Sequence, residues 1–140
     1  MSNIAVVFWS GTGNTKTMAQ AVEEGAKSKG ANVEVLNATD FNKDKLCKYD
    51  GIAFGCPAMG AEVLEEYDFE PMFASIEGSL SGKKIALFGS YGWGDGQWLR
   101  DWEDRCRVAG AVIVSASVKA NEAPSNEELE QCKKLGASLC

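Results

Sequence analysis

Apolar and polar positions follow two rhythms along this chain. Short apolar runs read as strands at Ile4–Trp9, Asn32–Asn37, Gly51–Gly55, Lys84–Ser90 and Ala111–Val118. Ile52-Ala53-Phe54 and Ile85-Ala86-Leu87-Phe88 are unbroken, as in strands covered on both faces. Asn32–Asn37 alternates, which suits a sheet edge. Between the runs, apolar residues recur every three or four positions, the spacing of one helix face. The stripes are Met18, Val22, Ala26; Phe69, Phe73, Ile76, Leu80; Trp98, Trp102, Cys106, Ala109; and Leu129, Cys132, Gly136, Leu139. A short turn covers Asn42–Tyr49. Gly30 and Gly110 stand where helices close, Pro71 suits a first turn, and Ser125-Asn126-Glu127-Glu128 reads as a capping box. Strand alternating with helix predicts an α/β fold: a three-layer, doubly wound, five-stranded parallel sheet. Right-handed crossovers favour the order 2-1-3-4-5, with a ligand outside the carboxyl ends of strands one and three.

Composition narrows the class. The chain of 140 residues reads as one domain, 1–140, with no repeat and no run long enough to span a membrane. It opens Met-Ser-Asn and enters a strand without a basic-apolar leader, so a cytoplasmic location is expected. The five cysteines, Cys47, Cys56, Cys106, Cys132 and Cys140, contain no C-x-x-C, which counts against a disulfide framework or a metal site. They read as small buried hydrophobes plus one terminal thiol. With no histidine, the usual base near neutral pH and every Ser-His or Cys-His nucleophile pair are missing. A net charge of −6 argues against nucleic acid and suits basic partners. Between Lys48 and Arg100 the only cations are Lys83 and Lys84, among Asp50, Glu62, Glu65, Glu66, Asp68, Glu70, Glu77 and Asp95. Either this is an ordinary solvated face, or acids gather round a site that wants negative potential.

Three unusual loops would share one rim of such a sheet. Ser10-Gly11-Thr12-Gly13-Asn14-Thr15 joins strand one to a helix N-terminus, where backbone N–H groups and hydroxyls cradle phosphate. Asn14 stands where a triphosphatase loop needs lysine, and Lys16 stands where a dinucleotide fingerprint needs its third glycine. The turn therefore suits a phosphate monoester held without a counter-charge. The second loop, Cys56-Pro57-Ala58-Met59-Gly60-Ala61-Glu62, sets an apolar Met between Pro and Gly and follows it with a carboxylate. The third, Ser90-Tyr91-Gly92-Trp93-Gly94-Asp95-Gly96, holds two aromatics among glycines, off helical spacing. Trp93 there suits stacking on a flat ring, where a plain surface loop is the alternative. Trp98 and Trp102 read as core, while Trp9 either flanks the phosphate turn or packs.

The Ser10–Thr15 turn, the Ala58–Glu62 loop and the Phe88–Gly96 segment together resemble the flavodoxin family, in particular the short-chain type from anaerobic bacteria. The resemblance spans essentially the whole chain. The fifth strand, read as uninterrupted over Ala111–Val118, fits the short-chain group, which lacks the long insertion there. It implies one noncovalent FMN and low-potential, one-electron transfer between redox proteins by a monomeric carrier that is not an enzyme. By position it implies that Ser10, Gly11, Thr12, Gly13, Asn14 and Thr15 hold the phosphate. Met59 would cover one ring face and Trp93 the other, with Pro57, Ala58 and Ala61 beside them. Glu62 would accept from the flavin N3–H, and the backbone of Ser90, Tyr91, Gly92 and Gly94 would line the pyrimidine side and ribityl chain.

In the family, the Met-Gly peptide turns its carbonyl toward flavin N5 when one electron and one proton arrive. Gly60 suits that because both orientations avoid a Cβ clash. A net bond of about 1 kcal/mol corresponds to about 40 mV for one electron. The second electron meets opposition: one fixed negative charge about 10 Å away costs about 1.7 kcal/mol at an effective dielectric near 20. Two departures are visible. Ala61 follows the Met-Gly pair where relatives often carry a polar residue, and Lys16 follows the turn where an acid is common. Lys16 should project from the first helical turn without touching phosphate. An FMN-dependent NAD(P)H reductase on the same fold is the main alternative. It would need room beside the ring, which Trp93 blocks, and a basic patch, whereas the loops carry no arginine. A flavin-free, receiver-like module leaves Trp93 unexplained.

Overall fold

The computed structural model describes residues 2–60 and 62–140. Its elements run β1 (Asn3–Phe8), α1 (Asn14–Ser28), β2 (Asn32–Asn37), α2 (Lys43–Leu46), β3 (Gly51–Gly55), α3 (Phe69–Glu77), β4 (Lys84–Tyr91), α4 (Gln97–Val108), β5 (Val112–Ile113), β6 (Val118–Asn121) and α5 (Asn126–Ser138). A 3-10 turn, Ala38–Asp40, precedes α2. All strand pairs are parallel, in the order β2-β1-β3-β4-β5, and β6 also pairs with β4. The expected 2-1-3-4-5 order holds, with β2 at an edge.

Alternation along the central strands builds two cores. Ala5, Val7, Ile52, Phe54, Ile85 and Leu87 face Phe69, Phe73, Trp98 and Trp102 of α3 and α4. Their neighbours Ile4, Val6, Phe8, Ala53, Ala86 and Phe88 face Met18, Val22, Cys132 and Leu135 of α1 and α5. The strand period of two makes this division, because successive side chains point to opposite faces. Trp98 and Trp102 are core, as expected. On the other face α1 and α5 touch backbone to backbone. A Cβ on Gly25 would lie 1.9 Å from the Lys133 carbonyl oxygen, and one on Gly136 would lie 2.0 Å from that of Val22.

The fifth strand is not continuous. Lys84 and Ile85 of β4 pair with Val112 and Ile113, while Phe88 through Tyr91 pair with Val118 through Asn121. Only Ala86 and Leu87 lie between on β4, opposite residues 114–117, so the chain bows out through Ser115-Ala116-Ser117. The second segment also runs past Val118. Val118 and Ala120 are buried while Lys119 and Asn121 are exposed, an alternation the expected boundary cut short. The cysteine reading needs one correction: Cys56, Cys106 and Cys132 are buried, but Cys47 is exposed along with Cys140. Cys47 follows a four-residue helix at the surface, so the core does not claim it.

Candidate functional site

The carboxyl ends of β1, β3, β4 and β6 open on one cavity of about 470 Å³. The first loop contributes Gly11, Thr12, Asn14 and Thr15, the second Pro57, Ala58 and Met59, the third Ser90, Tyr91 and Gly92. Gly13, at φ 97, is the N-cap of α1 in left-handed backbone that a Cβ disfavours. Ser10 turns back into its own loop, where its Oγ accepts from the N–H of Gly13 at 3.1 Å and of Lys16 at 3.3 Å. A hydroxyl that accepts twice still has its proton to donate. Thr15 is buried and its hydroxyl bonds that of Ser90 at 3.0 Å, which joins the first loop to the third. Lys16 is exposed, and no Lys or Arg lines the cavity among the described residues.

The second and third loops are laced together below the rim. The Ala58 N–H donates to the Ser90 carbonyl at 3.0 Å, and the Trp98 indole donates to the Cys56 carbonyl at 3.1 Å. A Cβ on Gly89 would stand 2.2 Å from that same Cys56 oxygen. Burial pushes the Cys56 thiol well above its ordinary range, so it serves as packing. Met59 is 39% exposed and forms a bridge with Val63, each N–H donating to the other's carbonyl. Gly60 follows at φ 52, exposed, with open space around it. Ala61 lies outside the described residues.

Trp93 is 63% exposed and, with Gly60, Glu62 and Gly94, lies beyond the cavity lining. Glu62 reaches across to the third loop, where its Oε1 accepts from the Gln97 N–H at 3.1 Å, at the start of α4. Gly94 permits this approach, because a Cβ there would sit 2.5 Å from the Glu62 carboxylate carbon. Among the described residues the non-glycine residues at positive φ are Glu62, at 55°, and Glu122, at 59°. Both stand at this rim, and such backbone persists where its surroundings hold it.

Sequence reasoning missed two participants. Glu122 and Ala123 line the cavity after β6, hidden because the expected fifth strand ended at Val118. Alternation through Lys119, Ala120 and Asn121 could have revealed that loop. Trp9, left open between two roles, also lines the cavity. The acidic stretch is less free than its composition suggested. Arg105 grips Glu70 through both terminal nitrogens at 2.6 and 2.7 Å, takes Glu77 at 2.8 and 3.0 Å, and lies 4.9 Å over the Phe73 ring. Asp95 pairs with Arg100 at 3.0 Å. Glu65, 3% exposed, accepts three backbone N–H groups.

Order, switch point and rim define a doubly wound α/β protein of the nucleotide-binding kind, with a hydroxyl-lined pole and an apolar pole in one cavity. The family model for flavodoxin matches residues 6–136. A flavodoxin of Clostridium beijerinckii is 45% identical over 134 residues, covering 96% of both chains. One from Megasphaera elsdenii is 44% identical over 133 residues, covering 95% of both. The solution structure of the two-electron reduced Megasphaera elsdenii flavodoxin matches at a TM-score of 0.90 and 43% identity, over 97% of each chain. The chain belongs to the flavodoxin family, with its short-chain members, and is an FMN-binding electron-transfer protein. No helix among the described residues is long and apolar enough to cross a membrane.

Proposed function

We propose that the rim cavity holds FMN with its phosphate in the Ser10–Thr15 turn and its ring between Met59 and Trp93. The observation that carries this is one cavity with two unlike ends, tied together by the Thr15–Ser90 bond. When bound, FMN supplies the one-electron chemistry. The chain's residues bind and orient it. Ser10 donates its remaining proton to a phosphate oxygen while gathering the N–H groups of Gly13 and Lys16 behind it. Gly11, Thr12, Asn14 and Thr15 complete the donor set without a cation. Pro57 and Ala58 shape the inner wall, and Ser90, Tyr91, Gly92 and Gly94 offer backbone along the ligand's length. Met59 and Trp93 exclude water from the two ring faces. Glu62 presents a carboxylate to a ring N–H from a position already braced on α4.

Gly60 has open space around it, so the Met59–Gly60 peptide can turn once the Met59 carbonyl gives up its bond from the Val63 N–H, and proton uptake at the ring is steered by this peptide. Ala61 adds no side-chain hydrogen bond that would bias the turn. The protein works as a cytoplasmic monomer, and its exposed carboxylates, Glu66 and Glu122 among them, dock redox partners through basic surfaces. The test is a potentiometric titration of the FMN-loaded protein, followed in the visible spectrum. Two separated one-electron steps are expected, with Gly60→Ala narrowing their separation. A single two-electron step driven by NAD(P)H would overturn the carrier reading. Partner reduction should slow as salt screens the charges, and a rate independent of ionic strength would reject basic docking.

A further inference from the structure

We infer that Asp68 is a positioning residue for the phosphate turn and acts through Trp9, an inference that rests on the FMN reading above. Trp9 directly follows β1, and its N–H donates to the Gly55 carbonyl at 3.0 Å, so its backbone is fixed between the first two loops. Its indole lies against the phosphate turn: Cη2 and Cζ3 stand 3.1 and 3.3 Å from where a Cβ on Gly11 would be. The far side of the same ring is held by Asp68, whose Oδ2 accepts from the indole Nε1–H at 3.2 Å. A glycine at position 11 and a carboxylate across the rim thus bracket one ring, which also lines the cavity.

The position of Asp68 argues for a dedicated contact. It is the N-cap residue of α3, where an aspartate side chain ordinarily takes a helix N–H. Here it makes no capping bond. The N–H groups such a cap would take are engaged or missing: that of Glu70 donates to the Glu65 carbonyl at 2.8 Å and Pro71 has none, while the Glu65 carboxylate accepts from the N–H of Tyr67, Asp68 and Phe69 at 2.7, 2.7 and 2.8 Å. The Asp68 carboxylate is thereby released to point at Trp9, and the bond it makes is charge-assisted. With the ring braced, Gly11 and Thr12 have a rigid wall behind them. The turn then needs less ordering when it closes on a phosphate, and preorganisation of that kind strengthens binding. The consequence is selectivity: Asp68 should matter for a flavin that carries a phosphate and not for one that lacks it.

The experiment compares FMN and riboflavin binding to the full chain by quenching of flavin fluorescence. Wild type, Asp68→Ala, Asp68→Asn, Trp9→Phe and the Asp68→Ala/Trp9→Phe double variant are measured. Asp68→Ala should weaken FMN about tenfold, the loss of one such bond, and leave riboflavin within about twofold. Asp68→Asn keeps an acceptor and should retain most of the FMN affinity. Trp9→Phe keeps a ring without its N–H and should match Asp68→Ala, with no further loss in the double variant. Equal losses for both flavins, no loss for FMN, or tighter FMN binding by both Asp68 variants would overturn the inference. Wild-type protein that binds the two flavins equally would sink the phosphate reading of the turn, and this inference with it. A wild-type preference for FMN that Asp68→Ala leaves intact would sink the inference alone.

Discussion

Replacing Glu65 by alanine should be the costliest single change among the acids of the 50–95 stretch, although among the described residues the ion pairs of that stretch fall on Glu70, Glu77 and Asp95. Its carboxylate is buried at 3% exposure and collects the N–H groups of Tyr67 and Asp68, just before α3, and of Phe69, its first residue, at 2.7 to 2.8 Å. Its own N–H donates to the Cys56 sulfur at 3.4 Å, so it also ties α3 to the second loop. A hydrogen bond to a charged group is worth about 1.5–3 kcal/mol, and an abandoned buried donor costs a similar amount. Tyr67 and Asp68 are exposed and their N–H groups can turn to water, whereas Phe69 is buried and its N–H cannot. One full loss and two partial ones put Glu65→Ala at about 3 kcal/mol. For a domain of this size that lowers Tm by about 6–12 °C. Glu65→Gln keeps one acceptor oxygen and should cost about half as much. Urea unfolding with Tm from calorimetry measures both. A Glu65→Ala loss below about 1 kcal/mol would refute the reasoning, because the three N–H groups would then be satisfied without it.

Other expectations follow from the packing and titration of the same chain. Gly136→Ala and Gly25→Ala must each part α1 from α5, since the new Cβ would meet backbone oxygen at 2.0 and 1.9 Å; each should cost about 3 kcal/mol in denaturant unfolding, at the upper end for overpacking. Gly78→Ala meets nothing within 4 Å at φ −69 and should instead stabilise by about 0.4–1 kcal/mol. Alkali should lower stability over two overlapping pH ranges. Burial pushes the thiols of Cys106 and Cys132 from 9.0 up to about 12, and burial with the Glu34 carboxylate raises the Tyr49 phenol from 10.0 to about 12. The folded state keeps protons that the unfolded chain releases, so this stability is whole below pH 9 and is lost as pH rises toward 12. Urea midpoints taken from pH 8 to 11 should fall, the Cys106→Ala/Cys132→Ala variant should make the first part of that fall shallower while the buried Cys56 thiol sustains the rest of it, and Tyr49→Phe should flatten the part above pH 10. Lys16→Ala should leave FMN affinity within about twofold, because Lys16 is exposed and outside the cavity lining; a collapse of binding would place that ammonium on the phosphate.

Much of the fold was legible because its cues are local. The apolar runs of β1, β3 and β4, the stripe beginning at Met18 and the Ser125 capping box each need only a few neighbouring residues to act, and all appear where the sequence put them. The three rim loops were legible for the same reason, since turns built from Gly, Pro and hydroxyl residues declare themselves over five or six positions. What escaped depended on partners far along the chain. Arg105 neutralises Glu70 and Glu77 from 35 and 28 residues away, so an acidic run in sequence is partly paired in space. In sequence Glu65 is one acid among many, and only the turn into α3 sets the N–H groups of Tyr67, Asp68 and Phe69 round it. The break at residues 114–117 arises because β4 offers two positions where the chain has four, a mismatch visible only in the paired register. By itself the sequence determined the elements apart from the split fifth strand, their order and the chemistry of the first three rim loops. Tertiary structure alone decided which charges are paired, that Glu122 and Ala123 join the rim, and that Asp68 reaches Trp9 across 59 residues. Those outcomes rest on distances between elements, which packing of the two cores sets and which no local pattern encodes.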